Sequence, residues 1–281
     1  MATIKQALEN AAFLQQISDS GQLDAELLLA AAIGQTREHL FTWPDKELNS
    51  TQFQCFQDYC KRRNAGEPIA YILGRQAFWD FNLKVNPAVL IPRPETELLV
   101  ETAIELLQAM KLDKANILDL GTGSGAIALA LAATNPNWHL TAVDSSEQAL
   151  QLARENAQEL KLAQIEFRQG SWCDGLPSMH FDLIVSNPPY VKRGDKHLHQ
   201  GSLPFEPVSA LVAEENGLAD IRSIAQQAKA CLKKDSWLLF EHGYQQKEEV
   251  VEILHQAGYE NIKCSQDLAG LDRLTRAQCK Q

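Results

Sequence analysis

Three stretches of the sequence carry residue types that could do chemistry together: LDLGTGSG (118–125), an acid at Asp144, and SNPPY (186–190). In the first, Gly121, Gly123 and Gly125 let the backbone turn sharply and let a ligand approach without Cβ clashes. The amides of this turn, with Thr122 and Ser124 between the glycines, would attract a polar or anionic group at a helix start. Asp144 follows about 20 residues on, where an acid usually holds ribose hydroxyls. In the third stretch Asn187 offers a carboxamide and Pro188 a carbonyl, each able to accept a hydrogen bond. Pro188 and Pro189 stiffen the turn. Tyr190 offers a flat face on which a π-system can stack.

A planar NH2 group has two donors to match those two acceptors. The constellation therefore suits methyl transfer to a conjugated nitrogen, either a carboxamide or a nucleobase amine. Such a nitrogen is a poor nucleophile because its lone pair is delocalised. Holding both hydrogens turns the lone pair toward the methyl, so catalysis is mostly positioning, with polarisation through the accepting oxygens. A sulfonium donor loses its charge as the methyl leaves, so no strong general base is needed before attack.

Two cofactors fit the glycine turn. Gly121-x-Gly123-x-x-Ala126 also satisfies the relaxed dinucleotide fingerprint, which would suit NAD. Asp119, two positions before the first glycine and expected at the mouth of the loop, favours S-adenosylmethionine. A carboxylate there would repel a pyrophosphate and suit the cationic amino group of a methionine tail. Trp172, just past the third strand, could line an adenine pocket or equally be a core aromatic.

These groups need a scaffold that brings strand ends together. From Pro94 onward helical and strand patterns alternate. NILDLG (116–121), HLTAVD (139–144), IEFRQG (165–170), FDLIVS (181–186) and SWLLFEH (236–242) read as strands. Helices are expected over Glu95–Met110, Ala126–Ala133, Ser146–Leu160 with Ser145 as cap, Gly217–Leu232 and Gln245–Ala257. Alternation of this kind predicts a parallel, doubly wound α/β sheet with ligands beyond its carboxyl strand ends. NIKCSQ and LTRAQC close the chain without a helix between them, so one of the pair should run antiparallel. Residues 1–73 repeat apolar positions at helical spacing, with Asp24 or Ser20 as cap of the second helix and a break at Trp43-Pro44, and predict a small helical bundle. Around 75–91, period-two alternation predicts a β-hairpin linking the two parts.

Composition narrows the classes. A formal charge of -10 lacks the basic stripe of a typical nucleic-acid binder. Six cysteines (Cys55, Cys60, Cys173, Cys231, Cys264 and Cys279) form no CxxC pair, and no histidine cluster has zinc spacing, so reduced thiols in a cytoplasmic protein are expected and no metal. The N-terminal stretch reads as neither a signal peptide nor a membrane span. Arg93 in LIPRPETE (90–97) could pair with Glu95 or Glu97, or help close the cofactor pocket. Glu241 and His242 resemble an acid/base pair, but strand neighbours point to opposite faces, which favours structural roles.

With these residues in view, the chain resembles the release factor glutamine methyltransferases, the PrmC/HemK family, nearly end to end. The resemblance lies in PIAYILG (68–74), LIPRPETE (90–97), LDLGTGSG (118–125), NPPY (187–190), FEP (205–207) and AGLDR (269–273). The first two strings are the most diagnostic, since the glycine loop is common to many methyltransferases and NPPY also occurs in enzymes that methylate base amines. The resemblance implies a Rossmann-like class I methyltransferase sheet of seven strands (93–281), a hairpin linker (74–92) and an all-helical N-terminal domain (1–73). The separation of that domain from the chemistry leads us to expect that it recognises the protein substrate. It implies S-adenosylmethionine as cofactor, contacted by Gly121, Thr122, Gly123, Ser124, Gly125, Asp144, Trp172 and Asn187. It also implies that Asn187, Pro188, Pro189 and Tyr190 hold the glutamine of the GGQ loop of class 1 peptide-chain release factors, with no membrane or direct nucleic-acid partner. A nucleic-acid exocyclic-amine methyltransferase and an inactive binding module are the alternatives. The loop 191–202 matches nothing assignable.

Overall fold

The computed structural model describes residues 2–280, which divide into two compact units. One runs as far as Arg75 and also takes in His197–Phe205; the other takes Gln76–Lys196 and the chain from Glu206 onward.

The first unit is helical: α1 (Ile4–Asn10), α2 (Gly21–Ile33), α3 (Arg37–Thr42), α4 (Ser50–Asn64) and α5 (Ile69–Leu73). Capping boxes start two of them, Thr3 with Gln6 and Asn49 with Gln52, each satisfying two orphan amides. Ile4, Leu14, Leu28, Leu29, Leu40, Phe56 and Cys60 form its core. The expected cap of α2 is corrected. Ser20 stands at the N-cap but its hydroxyl bonds to Asp24 (3.0 Å) rather than to a backbone amide. Asp24 lies inside the helix, buried and paired with Arg63 at 2.7 Å. The later part of the unassigned loop and the residues after it join this unit: at Gly66, φ +93°, a Cβ would come within 3.2 Å of the ring of Phe205, the first residue of FEP.

The second unit opens with strands β1 (Arg75–Phe78) and β2 (Phe81–Lys84), joined by the two-residue turn Trp79-Asp80, which permits only an antiparallel pair. Trp79 adopts φ +55°, and its amide is held by Glu97 Oε1 at 2.8 Å. Alternation restarts across the turn, and Phe78 and Leu83 both enter the core.

The large sheet is built from β3 (Asn116–Leu120), β4 (His139–Asp144), β5 (Ile165–Gln169), β6 (Phe181–Ser186), β9 (Leu232–Glu241), β10 (Glu260–Gln266) and β11 (Asp272–Gln278). A short parallel ladder, β7 (Val191–Lys192) with β8 (Val212–Ala213), lies between β6 and β9 in the chain. The large sheet has the order β10-β11-β9-β6-β3-β4-β5. All its strands run parallel except β11, which is antiparallel to both neighbours, as the missing helix before it predicts. Strand β9 begins well before the expected Ser236, because Lys233, Lys234 and Asp235 disguise its start; Lys233 pairs across the sheet with Asp182 at 2.8 Å.

Alternate residues of each strand feed two cores. Ile117, Leu183 and Leu239 meet α6 (Glu97–Ala109) and α7 (Ala126–Thr134). Leu118, Ile184, Leu238 and Phe240 meet α10 (Ala219–Cys231) and α11 (Lys247–Gln256). Helix α8 (Glu147–Leu160) starts at a cap one residue later than expected: Ser146, not Ser145, accepts from the Ala149 amide at 3.2 Å. A distorted turn, α9 (Glu214–Gly217), precedes α10.

Candidate functional site

The strand order reverses between β3 and β6, and in open α/β sheets ligands sit at such a switch point, outside the carboxyl strand ends. A cavity of about 520 Å³ lies there. Gly121, Thr122, Gly123 and Ser124 after β3 wall it, with Asp144 at the end of β4, Trp172 after β5, and Asn187 and Pro189 after β6.

The glycine turn is locked from several sides. The Gly121 and Thr122 amides both donate to the Val143 carbonyl, at 2.9 and 3.0 Å. Gly125 has φ +86°, and a Cβ there would press on Leu129 and Ala153 at 3.1 and 3.2 Å. Gly125 lies behind the wall, where it lets α7 and α8 pack closely, rather than facing the cavity. Asn156 of α8, itself buried, donates to the Ser124 carbonyl (2.9 Å) and the Lys84 carbonyl (3.1 Å) and accepts from the Lys84 amide (2.8 Å). One carboxamide therefore ties the glycine turn to strand β2.

Asp144 accepts from the Gly123 amide and the Ser146 amide, both at 2.9 Å. Burial pushes its carboxyl up, and these amide bonds pull against that shift. Trp172, at φ +47°, lies against Gly121, within 3.5 Å of where a Cβ would stand. Asp220 is another wall residue; burial pushes its carboxyl up, and the Trp172 indole pulls against that shift. Of the two readings open for Trp172, the cavity wall is the observed one, although the ring also packs on the second core.

Asp119 corrects an expectation. It does not stand at the mouth of the loop but fully buried behind it, because β3 is an interior strand covered on both faces. It reaches the cavity only through Thr122, whose hydroxyl donates to Oδ2 at 2.6 Å. Its Oδ1 has no partner among the described residues. Burial pushes the carboxyl up to about 7, against the pull of the Thr122 bond. An unsatisfied carboxylate oxygen under a glycine turn fits a cationic group above that turn and opposes a pyrophosphate, which favours S-adenosylmethionine over NAD.

The SNPPY stretch divides between the cavity and its support. Ser186 is buried and bonds the Leu120 carbonyl at 2.8 Å, tying β6 to β3. Asn187 is half-buried in the cavity wall and donates from Nδ2 to Thr96 Oγ1 at 3.1 Å. Pro188 is buried beneath the wall. Tyr190 does not wall the cavity: its ring packs on the second core and its hydroxyl donates to Glu241 Oε1 at 3.2 Å. Burial raises the Tyr190 hydroxyl, with the Glu241 charge adding to it, so it stays a neutral donor. The half-buried Tyr190 thus braces the turn from behind the cavity.

Two residues assigned no chemistry by sequence reasoning complete this support. Thr96, in the turn Pro94–Thr96, donates to Glu241 Oε2 at 2.6 Å. Glu241, at the end of β9, is buried, and burial raises its carboxyl while Thr96 and Arg273 lower it. A buried acid ending an apolar strand was the available signal, since it must find donors. His242 points away, as strand alternation requires, to Thr275 Oγ1 at 2.8 Å; burial lowers it and keeps it neutral. Arg93 pairs with neither Glu95 nor Glu97. It bonds Glu206 of the FEP string at 2.5 Å, and Glu206 also accepts from the Ile91 amide at 3.0 Å. Glu97 is already engaged with Trp79. Arg93 walls the cavity, as one of its two readings has it.

The switch-point cavity, the glycine turn, the acid ending β4 and the single antiparallel strand β11 together define a class I S-adenosylmethionine-dependent methyltransferase. Comparison with known proteins agrees: residues 96–202 match the methyltransferase small domain family, and residues 6–74 match the PrmC N-terminal domain family. A methyltransferase from Pyrococcus furiosus shares the fold at 18% identity, with a TM-score of 0.55 over 80% of this chain and 100% of that one. The release factor glutamine methyltransferase of Vibrio cholerae is 50% identical over 99% of this chain and 96% of its own length. That of Coxiella burnetii is 46% identical over 99% of both. The chain belongs to the release factor glutamine methyltransferase family.

Proposed function

We propose that this enzyme transfers a methyl group from S-adenosylmethionine to the side-chain amide nitrogen of the glutamine in the GGQ loop of class 1 release factors. The observation that carries the reading is the Asn187 carboxamide in one cavity wall with the glycine turn, held by its nitrogen so that its oxygen is free for a substrate NH2. Near-complete alignment with release factor glutamine methyltransferases supports the choice of substrate.

Bound S-adenosylmethionine supplies the electrophilic methyl. Thr122, Gly123 and Ser124 cradle it, Asp144 holds ribose hydroxyls, Trp172 borders the base, and Asp119 contributes negative charge through Thr122. Asn187 Oδ1 and the Pro188 carbonyl each accept one amide hydrogen of the glutamine, which turns the nitrogen lone pair toward the donor. Pro189 stiffens the turn, and Tyr190 braces it from behind. The helical first unit reads the release factor, because a loop as small as GGQ offers little surface for discrimination. The chain has no helix, among the described residues, long and apolar enough to cross a membrane. A translation factor as substrate would put the enzyme in the cytoplasm, with no nucleic-acid contact of its own.

The test is to incubate the enzyme with a class 1 release factor and labelled cofactor and to map the methyl by mass spectrometry. Label on the GGQ glutamine, reduced about 100-fold or more in Asn187→Ala, is the expected result. Label entering DNA or RNA and not the release factor would overturn it.

A further inference from the structure

From the cavity wall inward, Asn187 and Thr96 in the wall and Glu241 and Tyr190 behind it form one hydrogen-bonded line whose polarity is fixed at its far end. Glu241 receives Thr96 Oγ1 on Oε2 at 2.6 Å and Tyr190 OH on Oε1 at 3.2 Å. With a hydroxyl donating to each of its two oxygens and the Arg273 charge favouring its ionised form, the Glu241 carboxylate can only accept. The single Thr96 hydroxyl proton is thus committed to Glu241, and Thr96 turns only lone pairs toward Asn187. Asn187 must meet them with its NH2 group, as its 3.1 Å bond from Nδ2 does. Its oxygen is then left on the cavity side.

We propose that Thr96 and Glu241 are positioning residues that set the flip of the Asn187 carboxamide, so that the substrate amide meets an acceptor and not a second NH2. The inference rests on the reading of Asn187 given above. A carboxamide can turn over with little change of shape, so packing alone discriminates weakly between its two ends. A flipped Asn187 would set its oxygen against the Thr96 oxygen, two acceptors without a proton between them, and its NH2 against the substrate NH2. Tyr190 keeps the second Glu241 oxygen occupied, which leaves the carboxylate a single role toward Thr96.

The variants Thr96→Val, Glu241→Gln, Asn187→Ala and the pairs with Asn187→Ala form double-mutant cycles read in kcat at saturating release factor. Thr96→Val keeps the shape and removes the hydroxyl. Glu241→Gln can donate to Thr96, which would reverse the line. Each should lower kcat about 10- to 100-fold, as for loss of one oriented polar group. Cofactor affinity by calorimetry should stay within about threefold, and Thr96→Ser should restore most of the Thr96→Val loss. Placed in the Asn187→Ala background, either change should add less than about threefold, since its effect runs through Asn187. A kcat within about threefold of wild type, or a loss that multiplies fully with Asn187→Ala, would overturn the proposal while leaving the role of Asn187 intact. Asn187→Ala with near wild-type kcat would instead remove the reading beneath it. Where Thr96→Val does not fold, the Glu241→Gln cycle decides by the same outcomes.

Discussion

At the scale of single residues, Asp119 is a carboxyl of the site held against its own desolvation. It is fully buried, one oxygen lacks a partner among the described residues, and its carboxyl is pushed up from 3.8 to about 7. A raised acid means that the folded state binds the proton more tightly than the unfolded chain. Its contribution to stability without cofactor therefore falls as pH rises from about 4 to about 7. A cofactor ammonium above the turn favours the ionised form and has the opposite dependence. Near pH 6, binding should expel a proton, and affinity should rise between pH 5.5 and 7.5. Calorimetry in two buffers of different ionisation heat measures that proton, and Asp119→Asn should abolish its release. An unchanged affinity across that range in the wild type would remove Asp119 from cofactor binding.

At the scale of elements, Gly125 is where loop and helix depend on each other most. At φ +86°, with Leu129 and Ala153 close to any added Cβ, Gly125→Ala combines backbone strain with overpacking. The expected cost is about 2 kcal/mol of unfolding free energy, measurable by urea denaturation, together with weaker cofactor binding. Most elements were legible because their patterns are local. The apolar, β-branched run of β6, the all-apolar α7 and the absence of a helix before β11 each announced themselves. What escaped notice depends on distant partners. Thr96 and Glu241 are 145 positions apart in sequence, and nothing in PET or FEH says that they touch. Arg93 had two acids within four residues, yet it found Glu206, 113 positions away. Tyr190 looked like a stacking surface because its ring was visible in the sequence and its burial was not.

For the whole molecule, the helical first unit exposes large aromatics that its own core does not need. Phe41 is 60% and Trp43 58% exposed, beside the Trp43-Pro44 break that ends α3. Aromatic anchors of this kind dominate protein recognition energetics. With both replaced by alanine, the KM for the release factor should rise about tenfold or more, as for loss of one or two hot-spot side chains, while cofactor affinity stays unchanged. Equal KM values would separate this unit from substrate recognition.

The buried Asn156 amide has a thermodynamic consequence. It grips the glycine turn at Ser124 and the hairpin at Lys84 with the same planar group. Whatever stiffens one partner must stiffen the other, and by reciprocity the influence runs both ways. Ligand capture at the strand ends should slow hydrogen–deuterium exchange of the Lys84 amide, and anything that pulls on the hairpin should loosen the ligand. Removing the Asn156 carboxamide should cut this mechanical line and leave the two regions to fluctuate independently.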